Sequence, residues 1–158
     1  MRKIKDLIAL GTLTGIIGTI PPLILNFITT ILGFSQYYSF QLSGSIYINE
    51  PDTYTFWGMV LGGVVWEFMA AGLGIATVLL IRKTGKDFWW LKGMIISNMI
   101  MFIFIYGFFF ALGAPKVVPW DLKTNWSVLI ENILFGLTMS YLIIRCGDES
   151  MLPEAKRP

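Results

Sequence analysis

Two glutamates are the residues of this chain whose type and position could do chemistry. Glu67 and Glu131 are the only acidic residues inside its long apolar stretches. A carboxyl group is expensive to place in hydrocarbon, so such a residue usually faces a neighbouring helix or a cavity. Two interpretations stay open: a proton- or cation-binding pair, or neutral glutamic acids that join helices by hydrogen bonds.

The two glutamates lie at similar distances from the basic ends of their stretches. Glu67 precedes Arg82 by fifteen residues, and Glu131 precedes Arg145 by fourteen. At about 1.5 Å per residue, both should lie about 21–22 Å from that end. We therefore expect one polar layer near this depth. Its members would be Glu67, Glu131, Tyr106, Pro21 and Pro22.

The two adjacent prolines should kink the first helix. Proline has no backbone N–H, so carbonyls near Ile17 and Gly18 lose their usual donors. A protonated Glu67 could donate to such a carbonyl, and Tyr106 could donate to Glu131.

Four apolar stretches must position these groups, and each is long enough to cross a hydrocarbon core of about 30 Å. The chain is 55% hydrophobic and only 14% charged, against about 25% charged in soluble domains. We predict an all-α polytopic membrane protein: a single transmembrane domain over residues 1–158, with four helices in a bundle. The expected helices cover residues 7–32, 56–81, 90–112 and 126–144.

The basic residues predict the orientation. Ten of the twelve lie at one side of the four stretches, and only Lys116 and Lys123 lie at the other. The positive-inside rule then places both termini and the tail 145–158 in the cytoplasm, and the loops 34–55 and 114–125 outside. We read the short basic clusters as topology determinants rather than as a surface for nucleic acid. The expected location is the cytoplasmic membrane.

Small residues recur at helical spacing on the first two helices. Such residues let helix backbones approach closely in lipid. We expect the two faces to pack together as an antiparallel pair, with Glu67 turned inward. The glycines assigned to this packing are Gly11, Gly15, Gly18, Gly63 and Gly74.

The outer loop 34–55 is aromatic, β-branched and almost uncharged until Glu50. It is too short to cross a membrane, so it should lie in the interface or re-enter the bundle. It could act as a lid over the outer face or as a simple cap on the helix ends.

An internal repeat is a further expectation. The segment 64–73 aligns with 128–137 at an offset of 64, so that Glu67 coincides with Glu131. Helices 1–2 and 3–4 would then be a parallel duplication, an arrangement that occurs in transporters.

Metal and catalytic motifs are missing from the sequence. The chain has no histidine and one cysteine, Cys146, and its acidic residues do not cluster. We therefore predict that it is not an enzyme and uses no cofactor or metal.

The order of soft motifs resembles a group of small four-helix membrane proteins of Gram-positive bacteria, loosely similar to the YqhR-type proteins. The residues that carry this resemblance are the glycine-rich start Gly11–Gly18, the loop opening Leu32-Gly33-Phe34-Ser35, Leu91-Lys92-Gly93, the Pro115–Pro119 loop, and Glu131-Asn132 with Gly136-Leu137. The resemblance implies a four-helix fold in a bacterial cytoplasmic membrane, and it implies no activity.

Two classes of function follow from the sequence. The first is a small permease, channel-like or transporter-related protein with a protonatable carboxylate layer. The second is a non-transporting membrane scaffold or accessory subunit. Four helices enclose little volume, so we expect a homo-oligomer or a membrane partner protein within the lipid bilayer, and no nucleic acid.

Overall fold

The computed structural model describes residues 3–152, and within this range the chain is all-helical. Three of the basic residues that predict the orientation, at positions 2, 156 and 157, lie outside the described residues. The end of the predicted tail 145–158 also lies outside them. The helices in chain order are α1 (Leu7–Gly18), α2 (Ile20–Ile31), α3 (Ser39–Gly44), α4 (Glu50–Thr53), α5 (Phe56–Thr84), α6 (Trp89–Ile96), a π-helix (Ser97–Gly107), α7 (Phe108–Ala111) and α8 (Leu122–Cys146).

Within residues 3–152, four helices are long and apolar enough to cross a membrane, which confirms the predicted number. Below they are called spans 1 to 4. They cover Leu7–Ile31, Phe56–Thr84, Trp89–Ala111 and Leu122–Cys146.

Span 1 breaks at Thr19, between α1 and α2. Pro21 and Pro22 follow directly, in the first turn of α2, where a missing N–H costs least. The Thr19 N–H bonds back to the Ile16 carbonyl at 3.2 Å, which ends α1 with a tight turn. The break is confined to the hydrogen-bond ladder, because the backbone of Thr19 stays in the αR region (φ −74°, ψ −20°). The proline pair therefore interrupts span 1 without unwinding it.

Span 4 begins four residues before the predicted start at 126. The Asp121 side chain accepts a hydrogen bond from the Thr124 N–H at 2.7 Å and so caps the helix. Because of this cap, the first turn of span 4 contains polar residues, and the apolar pattern assigns these residues to the loop.

Small residues bring the spans into close contact. Gly11 and Gly15 of span 1 lie against span 2 at Gly74 and Ala70, and Gly93 of span 3 lies against Gly136 of span 4. At these positions an added Cβ would meet the neighbouring backbone, so the helix axes approach to a distance that only glycine permits.

The two ends of the described chain meet on one side of the molecule. The Ile4 N–H donates to the Cys146 carbonyl at 2.9 Å, and the Asp148 N–H donates to the Ile4 carbonyl at 3.1 Å. Beside this bridge lies a core from spans 1, 2 and 4, which includes Leu10, Ile81 and Ile143. The loop 34–55 covers the opposite end.

Candidate functional site

Glu131 is buried, with 2% of its surface exposed, in a cluster of hydrogen-bonding side chains. Its Oε1 accepts from Asn26 Nδ2 at 3.1 Å and from Ser127 Oγ at 2.8 Å. Its Oε2 accepts from Ser39 Oγ at 2.9 Å. These contacts join span 1, the loop helix α3 and span 4 through one carboxyl group. We call Asn26, Ser39, Ser127 and Glu131 the Glu131 cluster.

The amide of Asn26 has a fixed orientation in this cluster. Its Oδ1 accepts from the Ser39 N–H at 2.9 Å, and a backbone N–H can only donate. Its NH2 group must therefore face Glu131. Asn26 thus binds the loop backbone with one end and the carboxyl group with the other, which makes the cluster specific for this position of the loop.

The loop reaches well below the end of span 4. Glu131 lies about 13 Å along the helix from Leu122, yet it contacts Ser39 of α3. Span 2 makes room with two glycines: a Cβ on Gly62 would meet the Phe40 carbonyl, and one on Gly58 would meet the Asp52 carbonyl. The loop helix therefore packs down among the spans and does not merely cover their ends.

Glu67 has a poorer set of partners than Glu131. Its Oε1 accepts from the Thr19 hydroxyl at 3.0 Å, and its Oε2 is buried without a hydrogen-bond partner. The Thr19 hydroxyl also lies 2.6 Å from the Ile16 carbonyl oxygen. Glu67 is thus placed at the break in span 1, beside the backbone that the proline pair disrupts. The side chain is half-buried, next to an apolar groove between spans 1 and 2.

The prediction of one shared layer is wrong. Glu67 meets span 1 at Thr19, whereas Glu131 meets it at Asn26. These positions are about two helical turns apart, or about 10 Å along span 1. Among the described residues no hydrogen bond joins the two carboxyl groups, and each has its own environment.

The error comes from the assumption that spans 2 and 4 end at the same level. Gly11 lies against Ile75 of span 2, while the neighbouring Leu10 lies against Gly147 after span 4. Residues at equal depth in spans 2 and 4 therefore differ by about 71 positions, not by the 64 that aligns the glutamates. Equal spacing from a basic residue does not give equal depth here, because the basic end of span 2 lies about two helical turns beyond the basic end of span 4.

Tyr106 does not reach Glu131 as expected. Its hydroxyl donates to Asn125 Oδ1 at 3.0 Å, near the start of span 4. Its ring stacks with Phe102 and packs edge-on against Phe110, at centroid distances of 5.5 Å and 4.1 Å. Tyr106 therefore fixes span 3 to the N-terminal end of span 4, and the Glu131 cluster is completed by Ser39 instead.

Two of the five predicted packing glycines lie elsewhere. Gly18 faces Met139 of span 4, not span 2, and Gly63 faces the ring of Phe40, where an added Cβ would be 3.6 Å from the nearest ring atom. The structure brings the other three together: Gly11, Gly15 and Gly74.

Four partners of the glutamates are residues that sequence reasoning did not select: Thr19, Asn26, Ser39 and Ser127. Ser127 was detectable, since it lies one helical turn before Glu131 on the same face. Asn26 was visible as an amide in an apolar stretch. Ser39 carried no signal, because only the folding of the loop brings it to span 4.

An apolar cavity of about 210 Å³ lies on the other side of the loop helix. We call it the outer cavity, after the loop 34–55 that the basic residues predict to lie outside. It is bordered by α3, span 2 and span 3 and is partly open to the surface. Its lining includes Leu42, Ser43, Val65, Met69, Ile105 and Phe109.

The described residues offer no ready metal site. Between positions 3 and 152, no three acidic or cysteine side chains come close enough to hold an ion. Glu131 could supply one carboxylate among hydroxyl and amide groups, and Glu67 could supply one beside a hydroxyl. The arrangement is suited to binding protons and hydrogen-bond donors.

Comparison with family models, with curated proteins and with solved structures finds no match to this chain. The resemblance to YqhR-type proteins therefore stays a prediction.

Proposed function

We propose that this chain is a multi-pass protein of the cytoplasmic membrane, with both termini in the cytoplasm, that binds and releases a proton at Glu67 as a small transporter-related protein. The observation that carries the proposal is the contact between Glu67 and Thr19 at the break in span 1. Interrupted helices occur at the coupling-ion sites of many transporters, and carboxyl groups within membrane spans occur in proton relays.

The geometry around Thr19 supports a bound proton on Glu67. A threonine hydroxyl has one hydrogen, yet Thr19 Oγ1 lies within hydrogen-bond distance of both the Ile16 carbonyl and Glu67 Oε1. As the structure stands, the one hydrogen is shared between these two acceptors. A proton on Glu67 that is donated to Thr19 Oγ1 would leave the Thr19 hydrogen wholly to the Ile16 carbonyl. When that proton leaves, the Thr19 hydrogen would again be shared between the carboxylate and the Ile16 carbonyl, which would weaken its bond to the backbone at the break in span 1.

The Glu131 cluster has a different role in this proposal. Its carboxyl group has three hydrogen-bond partners and holds the loop helix against spans 1 and 4. It would keep the outer end closed while Glu67 exchanges its proton.

The four spans would form one bundle, and spans 1–2 and 3–4 would be related by duplication. Each pair packs through glycines, at Gly11 and Gly74 in one pair and at Gly93 and Gly136 in the other. These glycines do not correspond at the offset of 64, so the duplication rests on the sequence alignment alone.

A second candidate is a non-transporting scaffold or accessory subunit in a homo-oligomer or with a membrane partner. The groove between spans 1 and 2 favours it, since about 580 Å³ of almost wholly apolar space lies open along the helices. The closed Glu131 cluster also favours it, because no polar path joins the two glutamates among the described residues.

The test for the proton site uses an apolar carbodiimide, which modifies protonated carboxyl groups in membranes. We expect it to label Glu67 in vesicles, and Glu67→Gln to abolish the label. Glu131 should stay unlabelled, because its oxygens are occupied and buried. Labelling of Glu131 alone, or of neither residue, would contradict the proposed site.

Transport is tested in vesicles that contain a pH-sensitive dye and an imposed potassium diffusion potential. We expect the wild type to carry protons and Glu67→Gln to abolish the flux. A labelled Glu67 with no flux in the wild type would reject transport in favour of the second candidate.

The orientation is tested with a cysteine at Tyr47, which is 67% exposed in the outer loop. Ser45 in the same loop is 0% exposed and is unsuitable. In intact cells a membrane-impermeant thiol reagent should modify the Tyr47→Cys variant and leave Cys146 unmodified. Modification of Cys146 from outside would reverse the orientation.

A further inference from the structure

We propose that the outer cavity binds one acyl chain of a membrane lipid. This inference is independent of the proton site, because it concerns the space between α3, span 2 and span 3 rather than the break in span 1.

The lining of the outer cavity is suited to hydrocarbon. Its walls are aliphatic, thioether and aromatic side chains, and two of its polar residues already have partners. The Ser43 hydroxyl donates to the Ser39 carbonyl at 2.9 Å, and the Tyr106 hydroxyl donates to Asn125 at 3.0 Å. A water molecule needs about two to four polar partners, so this lining favours an apolar occupant.

The size and shape of the outer cavity are suited to a chain. Its volume of about 210 Å³ exceeds that of an engineered apolar cavity of about 150 Å³ that stays dry and binds benzene. Its lining residues run along span 3 from Met101 to Phe110. A space that extends along the helix in this way suits a chain lying beside it.

The position of the outer cavity determines the source of the chain. The opposite face of span 3 is exposed, with Ile103, Phe104 and Phe108 showing 58–62% of their surface. In a membrane this face would contact lipid, so acyl chains are the apolar molecules most concentrated beside the cavity. Tyr47 stands at its rim, where the phenol suits the level of the headgroups.

Met69 and Met101 also line this cavity and contribute to a second, smaller void beside Thr19. Methionine side chains are unbranched and adapt to irregular partners, so they can accommodate chain ends of different lengths.

The test uses phosphatidylcholine vesicles doped with a phospholipid whose acyl chain carries a photoreactive diazirine near its end. We expect crosslinks on Met69 and Met101, mapped by peptide mass spectrometry. Val65→Phe should fill the cavity from span 2 and remove most of this labelling. The matched control is Val64→Phe, because Val64 is 48% exposed and points away from the cavity.

A second pair of variants protects the test against misfolding. Ile105→Trp fills the cavity from span 3, and Phe104→Trp changes the exposed face of the same span. Labelling of Phe104 and Phe108 from surrounding lipid should persist in the two Val variants and serves as the internal control. Wild-type crosslinks confined to that exposed face would overturn the proposal, and so would unchanged labelling of Met69 and Met101 in both filled variants.

Discussion

Replacing Gly74 with alanine should separate spans 1 and 2 and destabilise the protein. A Cβ on Gly74 would meet the Gly11 carbonyl oxygen and lie 2.9 Å from the Gly11 carbonyl carbon. Ordinary contacts begin at about 3.4 Å, and the obstacle is backbone, so it cannot rotate away. The two helices must therefore move apart along the whole glycine face.

Gly72 provides a control on the same helix, since a Cβ there meets nothing within 4 Å. Both substitutions gain the same helix propensity, about 0.5–1 kcal/mol, so that contribution cancels in the comparison. What remains is the cost of overpacking, about 1–3 kcal/mol. We expect Gly74→Ala to be less stable than Gly72→Ala by this amount, which corresponds to a factor of about 5 to 150 in the ratio of folded to unfolded protein.

The measurement is unfolding by sodium dodecyl sulfate in mixed micelles, followed by far-ultraviolet circular dichroism, with thermal unfolding in a mild detergent as a second measure. Gly72→Ala should match or exceed the wild type. If Gly74→Ala is as stable as Gly72→Ala, then spans 1 and 2 are not in backbone contact, and the packing of the whole structure must be revised.

Two further predictions concern the loop. Asn26→Leu should leave the Ser39 N–H without its acceptor and remove one of the two donors to Glu131 Oε1. We expect it to destabilise the protein by about 1–3 kcal/mol, with hydrogen exchange in α3 rising most. Unchanged exchange in residues 39–44 would contradict the role of the Glu131 cluster. Burial, with Tyr54, Glu50 and Asp121 nearby, raises the pKa of Tyr37 above 10.0. The phenol therefore ionises first in the unfolded state, so its contribution to stability is complete below pH about 10 and falls as the pH rises further. Between pH about 9 and 11, the melting temperature of the wild type should fall relative to that of Tyr37→Phe. A constant difference between the two melting temperatures would refute this prediction.

The sequence alone determined the number of long apolar helices and predicted that the first one is distorted at the proline pair. Both are local properties: a long apolar run excludes most other structures in a membrane, and two adjacent prolines disrupt a helix wherever they occur. The close approach of spans 1 and 2 was also visible as a pattern of small residues, although the pattern could not separate Gly74, which meets span 1, from Gly63, which meets the loop.

Only the tertiary structure decided what each glutamate contacts. The depth of Glu67 relative to Glu131 depends on how far spans 2 and 4 are displaced along each other, and contacts with span 1 set that displacement. The partner Ser39 depends on a loop that folds back among the helices, and the distance between Ser39 and Glu131 along the chain leaves no periodic trace in the sequence. For this reason two carboxyl groups that look equivalent in the sequence have different surroundings. Glu131 accepts three hydrogen bonds, whereas Glu67 lies beside the break in span 1 and has one oxygen without a hydrogen-bond partner.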